Sequence, residues 1–367
     1  MRGKKREDKQ EEDNNRESIN KQHKPTKSKL FLPVPTFLGS YEKSLELVTT
    51  LAELKETLTR YGVAVIPSVL SSDECKLFET GVWDSLSKIT SSWDEPISQG
   101  SESSWKGFSK LFPMHSMLLQ HYSLGHAEFV WALRQNPKVL AIFSQLWNVA
   151  PEELLVSFDG LSIHFPPESI GGGKGFYKGN TWYHTDQRPS DNSFSCVQSW
   201  VTARDVNAGD ATLTVLLGSH AYHGEFSKKF GKTHVKDDWY KLGSQAELDF
   251  FVKEKGCTPV SIQCPVGSLV LWDSRTMHAG QEPLTTRAAP NFRMAVYLCY
   301  TPRMRATKKN LEKKQKAFKD MRMTSHWPHK PKLFGKKPRT YGAEAPSTVS
   351  LEKPTNVGAI GMKLAGF

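Results

Sequence analysis

Two hydrophobic periods divide the chain. Leu45, Val48, Leu51, Leu54 and Leu58 recur at helical spacing, and Tyr61-Gly62 closes that run. Val63-Ala64-Val65-Ile66 then reads as a short buried strand. Ser71-Ser72-Asp73-Glu74 has the spacing of a reciprocal helix cap, a hydroxyl at the first position and a carboxylate three residues on. Cys75, Phe78 and Val82 continue it as an apolar stripe. Further helices are expected at 127–134 and 137–147.

From about residue 154 the period changes to two. Segments 155–158, 161–165, 195–203, 212–216, 259–264, 268–272 and 293–300 are strand candidates, separated by Gly, Pro, Asp and Asn. Short strands behind a helical front half predict a mainly antiparallel α+β chain, a double-sheet barrel with helices packed outside. Periodicity alone does not separate this from another α+β arrangement.

Charge is distributed unevenly over the 367 residues. Residues 1–30 carry 10 basic and 6 acidic side chains, and 303–340 carry 14 and 2, whereas 31–302 carry 23 and 28. The expected organisation is a disordered basic tail at 1–30, a catalytic body at 31–302, and a basic helix with an extended C-terminal tail at 303–367. The plainer reading of 303–340 is a solvated helix and linker. The alternative is contact with nucleic acid or an acidic surface, although few aromatics are interleaved with the charge. No apolar run is long enough to span a membrane, and the basic start at Met1 has no apolar stretch behind it to form a secretory signal. Five scattered cysteines (Cys75, Cys196, Cys257, Cys264, Cys299) lack metal-ligand spacing. They fit buried free thiols, hence an intracellular, cytoplasmic or nuclear setting.

The chemistry is carried by His184-Thr185-Asp186 and, far downstream, His278. In an extended segment residues i and i+2 point the same way, so His184 and Asp186 can reach one ion while Thr185 faces elsewhere. Two imidazoles and one carboxylate form the facial set that holds Fe(II) and leaves other positions open. An H-x-D alone is a weak signal. Arg293 strengthens it, because a lone arginine at the start of an apolar strand needs an anionic partner. The distal carboxylate of 2-oxoglutarate fits a planar guanidinium fork. A structural ion pair is the plainer reading of Arg293, and Arg287, in a loop-like stretch, is the other candidate. His220, at the end of its strand, is read as bracing the sheet or a neighbouring loop, and His164, His223 and His234 as structural or surface residues. Gly171-Gly172-Gly173-Lys174-Gly175 lacks a phosphate-loop pattern and is read as a flap or an inert loop.

At these residues the sequence resembles the phytanoyl-CoA dioxygenase family of Fe(II)/2-oxoglutarate oxygenases, from about 55 to 302. The stretches that carry the resemblance are 61–71, Trp182-Tyr183-His184-Thr185-Asp186-Gln187, and Gly209 through His220, with Leu217 where the family usually has proline. Pro265 through Trp272, His278 and Asn291-Phe292-Arg293 complete it. The resemblance implies a double-stranded β-helix, with iron on His184, Asp186 and His278. It also implies co-substrate on Arg293 and Trp200 lining the co-substrate pocket. The implied activity is hydroxylation of a C–H bond in a small-molecule or lipid substrate, releasing succinate and carbon dioxide. A nucleic-acid or protein hydroxylase docked through 303–340, or a catalytically silent member, are the alternatives. Asp186 argues against halogenation, which normally needs the carboxylate's position. Substrate choice falls to 88–125, 166–180 and 221–258, which carry no readable code.

Overall fold

The alternating runs become strands, and their register builds the molecule. The computed structural model describes residues 38–111, 117–170, 175–335, 338 and 346–367. Within these, the strands are β1 Val63–Ile66, β2 Leu118–Leu119, β3 Leu154–Val156, β4 Leu161–His164, β5 His184–Thr185 and β6 Val197–Thr202. They continue as β7 Thr212–Leu216, β8 Tyr240–Lys241, β9 Pro259–Ser261, β10 Leu269–Asp273, β11 His278–Gln281 and β12 Arg293–Pro302. One seven-stranded sheet runs β1-β10-β6-β12-β4-β2 with β3 also on β12, and a five-stranded sheet runs β8-β5-β11-β7-β9. The strand pairs are antiparallel, as the sequence predicts.

A common core joins the two sheets. Val63, Val65, Trp200, Val270, Trp272 and Ala295 of the larger sheet meet Leu213, Val215 and Val260 of the smaller. Period two does the sorting on β12: Ala295 enters this core, whereas Met294, Val296 and Leu298 face a cluster shared with the helices. Helix Ser72–Ile89 contributes Phe78, Val82 and Leu86 there, and Pro137–Trp147 contributes Val139, Leu140 and Phe143. The reciprocal cap forms as read, Glu74 N–H donating to Ser71 Oγ at 3.2 Å and Ser71 N–H to Glu74 Oε2 at 2.7 Å. The insert at 221–258 packs Phe226, Phe250 and Phe251 with Tyr183, Met277 and Ala279, covering the smaller sheet beside β5 and β11.

Two expectations need correction. The first helix is not continuous from Leu45: a short 3-10 turn, Glu42–Leu47, precedes the α-helix Leu54–Tyr61. Val48 instead bridges Val65 of β1, and Thr49 N–H donates to the Val65 carbonyl at 2.9 Å. Pairing with a strand has overridden helical spacing.

The second correction concerns 303–340, which is not simply a solvated helix and linker. Helix Lys308–Lys319 buries Lys314 and Ala317, and Met323, Thr324 and Trp327 beyond it are buried too. Lys314 donates to the Val156 carbonyl, with its ammonium 3.9 Å from the Phe158 ring centre. Arg305 stacks on Trp147 at 4.4 Å and donates to the Ser195 carbonyl. Arg303 donates to backbone carbonyls of Gly366 and Phe367. Long cationic side chains have apolar stems, and here several lie along the body with their heads on carbonyls. The described residues accordingly fall within one compact unit. The tail read at 1–30, and residues 171–174 of the flap or inert loop read at 171–175, lie outside the described residues.

Buried imidazoles give the fold a pH signature. His126 and His164 have no exposed surface, and burial first, then nearby Arg134 or Arg287, pushes each down to about 3. The unfolded chain takes up these protons near pH 6.5 while the folded one refuses them, so their contribution is complete above that pH and lost as pH falls. Denaturant unfolding of the metal-free protein should show each costing on the order of 1 kcal/mol between pH 7.5 and 5.5. Equal stability at the two pH values would contradict neutral burial.

Candidate metal centre

His184 and His278 are direct cross-strand partners, on β5 and β11. Cβ atoms of such a pair lie about 5 Å apart on one face, and the two rings stand 4.3 Å apart here. Asp186, the i+2 residue, brings Oδ2 to 3.2 Å from His278 Nε2 and Oδ1 to 3.8 Å from His184 Nε2. One ligand atom from each of the three lies within 4.8 Å of the others. The sequence-predicted triad therefore converges.

Backbone carbonyls set both tautomers. His184 Nδ1 lies 3.3 Å from the Trp182 carbonyl and His278 Nδ1 2.9 Å from that of Thr276. A carbonyl only accepts, so each Nδ1 carries hydrogen and each Nε2 presents its lone pair to the centre. Burial pushes His184 down to about 3, with His278 adding to the effect. Burial opposes ionisation of Asp186, but His326, His184 and His278 outweigh it and hold the carboxyl well below the usual range. Two imidazole nitrogens around a partly buried carboxylate suit a divalent cation.

The support is local. Trp182 stacks on His184 at 4.4 Å with the planes 3° apart, and Gln198 Nε2 donates to Asp186 Oδ2 at 3.0 Å. Asp186 N–H donates to the Ser274 carbonyl at 3.1 Å. The turn into His278 hangs on Gly62, whose carbonyl accepts from Asp273 N–H and Thr276 Oγ1, both at 2.9 Å. Gly62 has φ 76°, and a side chain there would strike His220 and Thr276. The Tyr61-Gly62 signal thus marks a metal-site support as well as a helix end.

Arg293 opens β12 opposite His164 and is 5% exposed. Its guanidinium lies 4.8 Å above the Trp200 ring, with Nε donating to Ser162 Oγ at 2.7 Å and Nη1 to the Ala211 carbonyl at 3.1 Å. The Tyr297 hydroxyl, four residues along the same strand, also contacts it. No carboxylate pairs with Arg293 among the described residues, whereas Arg287 faces Glu168 at 2.7 Å and Asp210 at 4.0 Å. Of the two arginines weighed from sequence, Arg287 is the one with the structural ion pair. Strand β6 links the two halves of the site. Gln198, on Asp186, and Trp200, under Arg293, are two residues apart on one face, a strand advance of about 7 Å.

Sequence reading missed several neighbours. Gln198 and Tyr297 were accessible from strand alternation around Trp200 and Arg293. Asp159 is buried nearby and held above the ordinary carboxylate range by burial; His326 opposes that, and the Asp186 charge adds to it. His326, from the C-terminal segment, carried no signal. Trp239, 48% exposed, stands 6.0 Å from His184 and marks the open side. His164 is buried beside the Arg293 pocket, and His220 lies 3.0 Å from the Thr59 carbonyl of the helix Leu54–Tyr61 rather than bracing the sheet or a neighbouring loop.

Comparison with known proteins agrees with this architecture. Residues 58–290 match the phytanoyl-CoA dioxygenase (PhyH) family model. The Ava biosynthesis cluster protein O of Aspergillus versicolor is 30% identical over 217 residues, covering 57% of this chain and 66% of that protein, just under two thirds of its length. Among solved structures, the hypothetical protein JW0805 of Escherichia coli aligns over 90% of this chain and 85% of its own, at 16% identity and TM-score 0.52. A putative oxidoreductase of Salmonella typhimurium LT2 aligns over 88% and 86%, at 14% identity and TM-score 0.52.

Calorimetric titration with Co(II) should find one tight site per chain. Asp186→Ala or His278→Ala should abolish it with the near-ultraviolet circular dichroism unchanged. Undiminished uptake by either variant would remove the triad from metal binding.

Proposed function

The chain belongs to the phytanoyl-CoA dioxygenase family, and from that premise we propose that it is an Fe(II)- and 2-oxoglutarate-dependent oxygenase. In this reading it hydroxylates a C–H bond of a small-molecule or lipid substrate, with succinate and carbon dioxide as co-products. The observation that carries it is one strand face, on which Gln198 holds the carboxylate of a His-Asp-His cluster while Trp200 holds an arginine that has no acidic partner among the described residues. The two facing sheets, with helices outside the larger one, support reading the fold as a double-stranded β-helix.

Each residue then has a task. His184, Asp186 and His278 hold Fe(II) through Nε2 and carboxylate oxygens. Arg293 binds the distal carboxylate of 2-oxoglutarate, a five-carbon diacid able to bridge the separation along β6. Ser162, Ala211 and Tyr297 aim the guanidinium, and Trp200 supports it from below. When bound, iron and 2-oxoglutarate supply the oxidising chemistry. The chain's part is orientation and exclusion of water by Trp182, Trp272 and the insert. Trp239 at the rim suits an apolar part of the substrate. Five buried free thiols support the intracellular, cytoplasmic or nuclear setting.

Docking of a nucleic acid or protein through 303–340 is less favoured. Arg305, Lys314 and Lys330 of that segment are engaged with the body and Arg303 with the C-terminal residues Gly366 and Phe367, leaving among the described residues mainly the exposed lysines of one helix.

Incubation with Fe(II), 2-oxoglutarate, oxygen and a metabolite extract should yield iron-dependent succinate and a product heavier by one oxygen atom. Asp186→Ala should yield neither. Arg293→Ala should raise the 2-oxoglutarate concentration at half-maximal rate roughly 10- to 100-fold, the loss of hydrogen bonds to a charged group. Succinate formation indifferent to both substitutions would exclude the proposal.

A further inference from the structure

The metal-binding loop is held from one side by a segment outside the family-matched span. Asp186 N–H is fixed by Ser274, and the carbonyl of the same residue lies 3.3 Å from His326 Nε2. Because a carbonyl only accepts, that imidazole nitrogen donates. A second tie runs in parallel. Asp238 accepts from Arg188 Nε at 2.9 Å, two residues after Asp186, and from Lys330 Nζ at 2.7 Å, four residues after His326.

His326 is itself held firmly on both flanks. Thr324 N–H donates to the Phe158 carbonyl at 2.9 Å, and Phe158 N–H returns a bond to Thr324 Oγ1 at 3.1 Å. Ser325 N–H donates to the Lys332 carbonyl at 2.8 Å. On the other flank Trp327 is buried against Cys196 and Cys299, with the Lys330 ammonium 3.6 Å from its ring centre. A half-buried imidazole fixed in this way is more than an incidental neighbour of the loop.

We propose that His326 is a positioning residue of the metal centre, its N–H pinning the Asp186 carbonyl so that segment 324–330 completes the support of the metal-binding loop. This rests on the metal reading of the triad above. Groups that orient metal ligands typically influence affinity about 10- to 100-fold when removed. Linkage also works in reverse: a metal that binds more tightly with the segment docked must stabilise that docking.

Co(II) is the probe, read by calorimetry, by its visible spectrum and by hydrogen exchange of amides 324–330. His326→Phe, which keeps a ring but loses the donor, should weaken Co(II) binding about 10- to 100-fold and alter the spectrum. His326→Gln, which retains an N–H donor, should recover most of that loss. Co(II) should slow exchange of amides 324–330 in the unaltered protein and much less in His326→Phe. Unchanged Co(II) affinity in His326→Phe overturns the proposal, as does equal loss in folded His326→Phe and His326→Gln. Failure of the unaltered chain to bind Co(II) would overturn the metal reading itself, and this inference with it.

Discussion

The register between β5 and β11 is the constraint on which the rest depends. It places His184 opposite His278, and a slip by one residue would turn one of the two away from the other. With only two residues, β5 cannot hold that register alone. Neighbouring contacts do so: Thr185 and Asp186 bond to the Ser274 carbonyl, and Ser219 and Leu216 fix the backbone of Met277. The reactive geometry is thus an outcome of backbone pairing, with the side chains following.

Burial then does two separate jobs at the two ends of β6. At the triad it favours the neutral form of His184, while His326, the first of the groups that oppose burial of the Asp186 charge, holds that carboxyl below the usual range, which leaves nitrogen ligands beside one hard oxygen. At the other end a buried guanidinium has a hydroxyl, a carbonyl and an aromatic face, but no acidic partner among the described residues. Moving such a charge out of water is costly unless a counter-charge completes the site. Arg293 therefore favours an anionic ligand more than a solvent-exposed arginine would.

Legibility in the sequence followed how local each feature was. The capped helix at Ser71, the strands rich in Val, Leu and Ile, and the H-x-D pair depend on neighbours a few residues away, so their spacing is visible. Arg293 was legible because a charge interrupts an otherwise apolar strand. The break at Val48 was not, because its cause is Val65, and β5 and β8 are too short to show a period. The basic C-terminal segment misled for a different reason. Net charge records how many lysines and arginines are present, whereas their seats on Val156, Ser195 and Gly366 carbonyls are tertiary facts. His326 belongs with these.

The stack of Trp182 on His184 has a chemical cost as well as a mechanical benefit. In the proposed oxygenase an indole laid flat on a metal ligand would be an easily oxidised side chain inside the protein. If co-substrate were consumed with no substrate in place, the tryptophan would be exposed to damage meant for another molecule. The tighter the imidazole is clamped, the more the lifetime of such an oxygenase would depend on firing only when loaded.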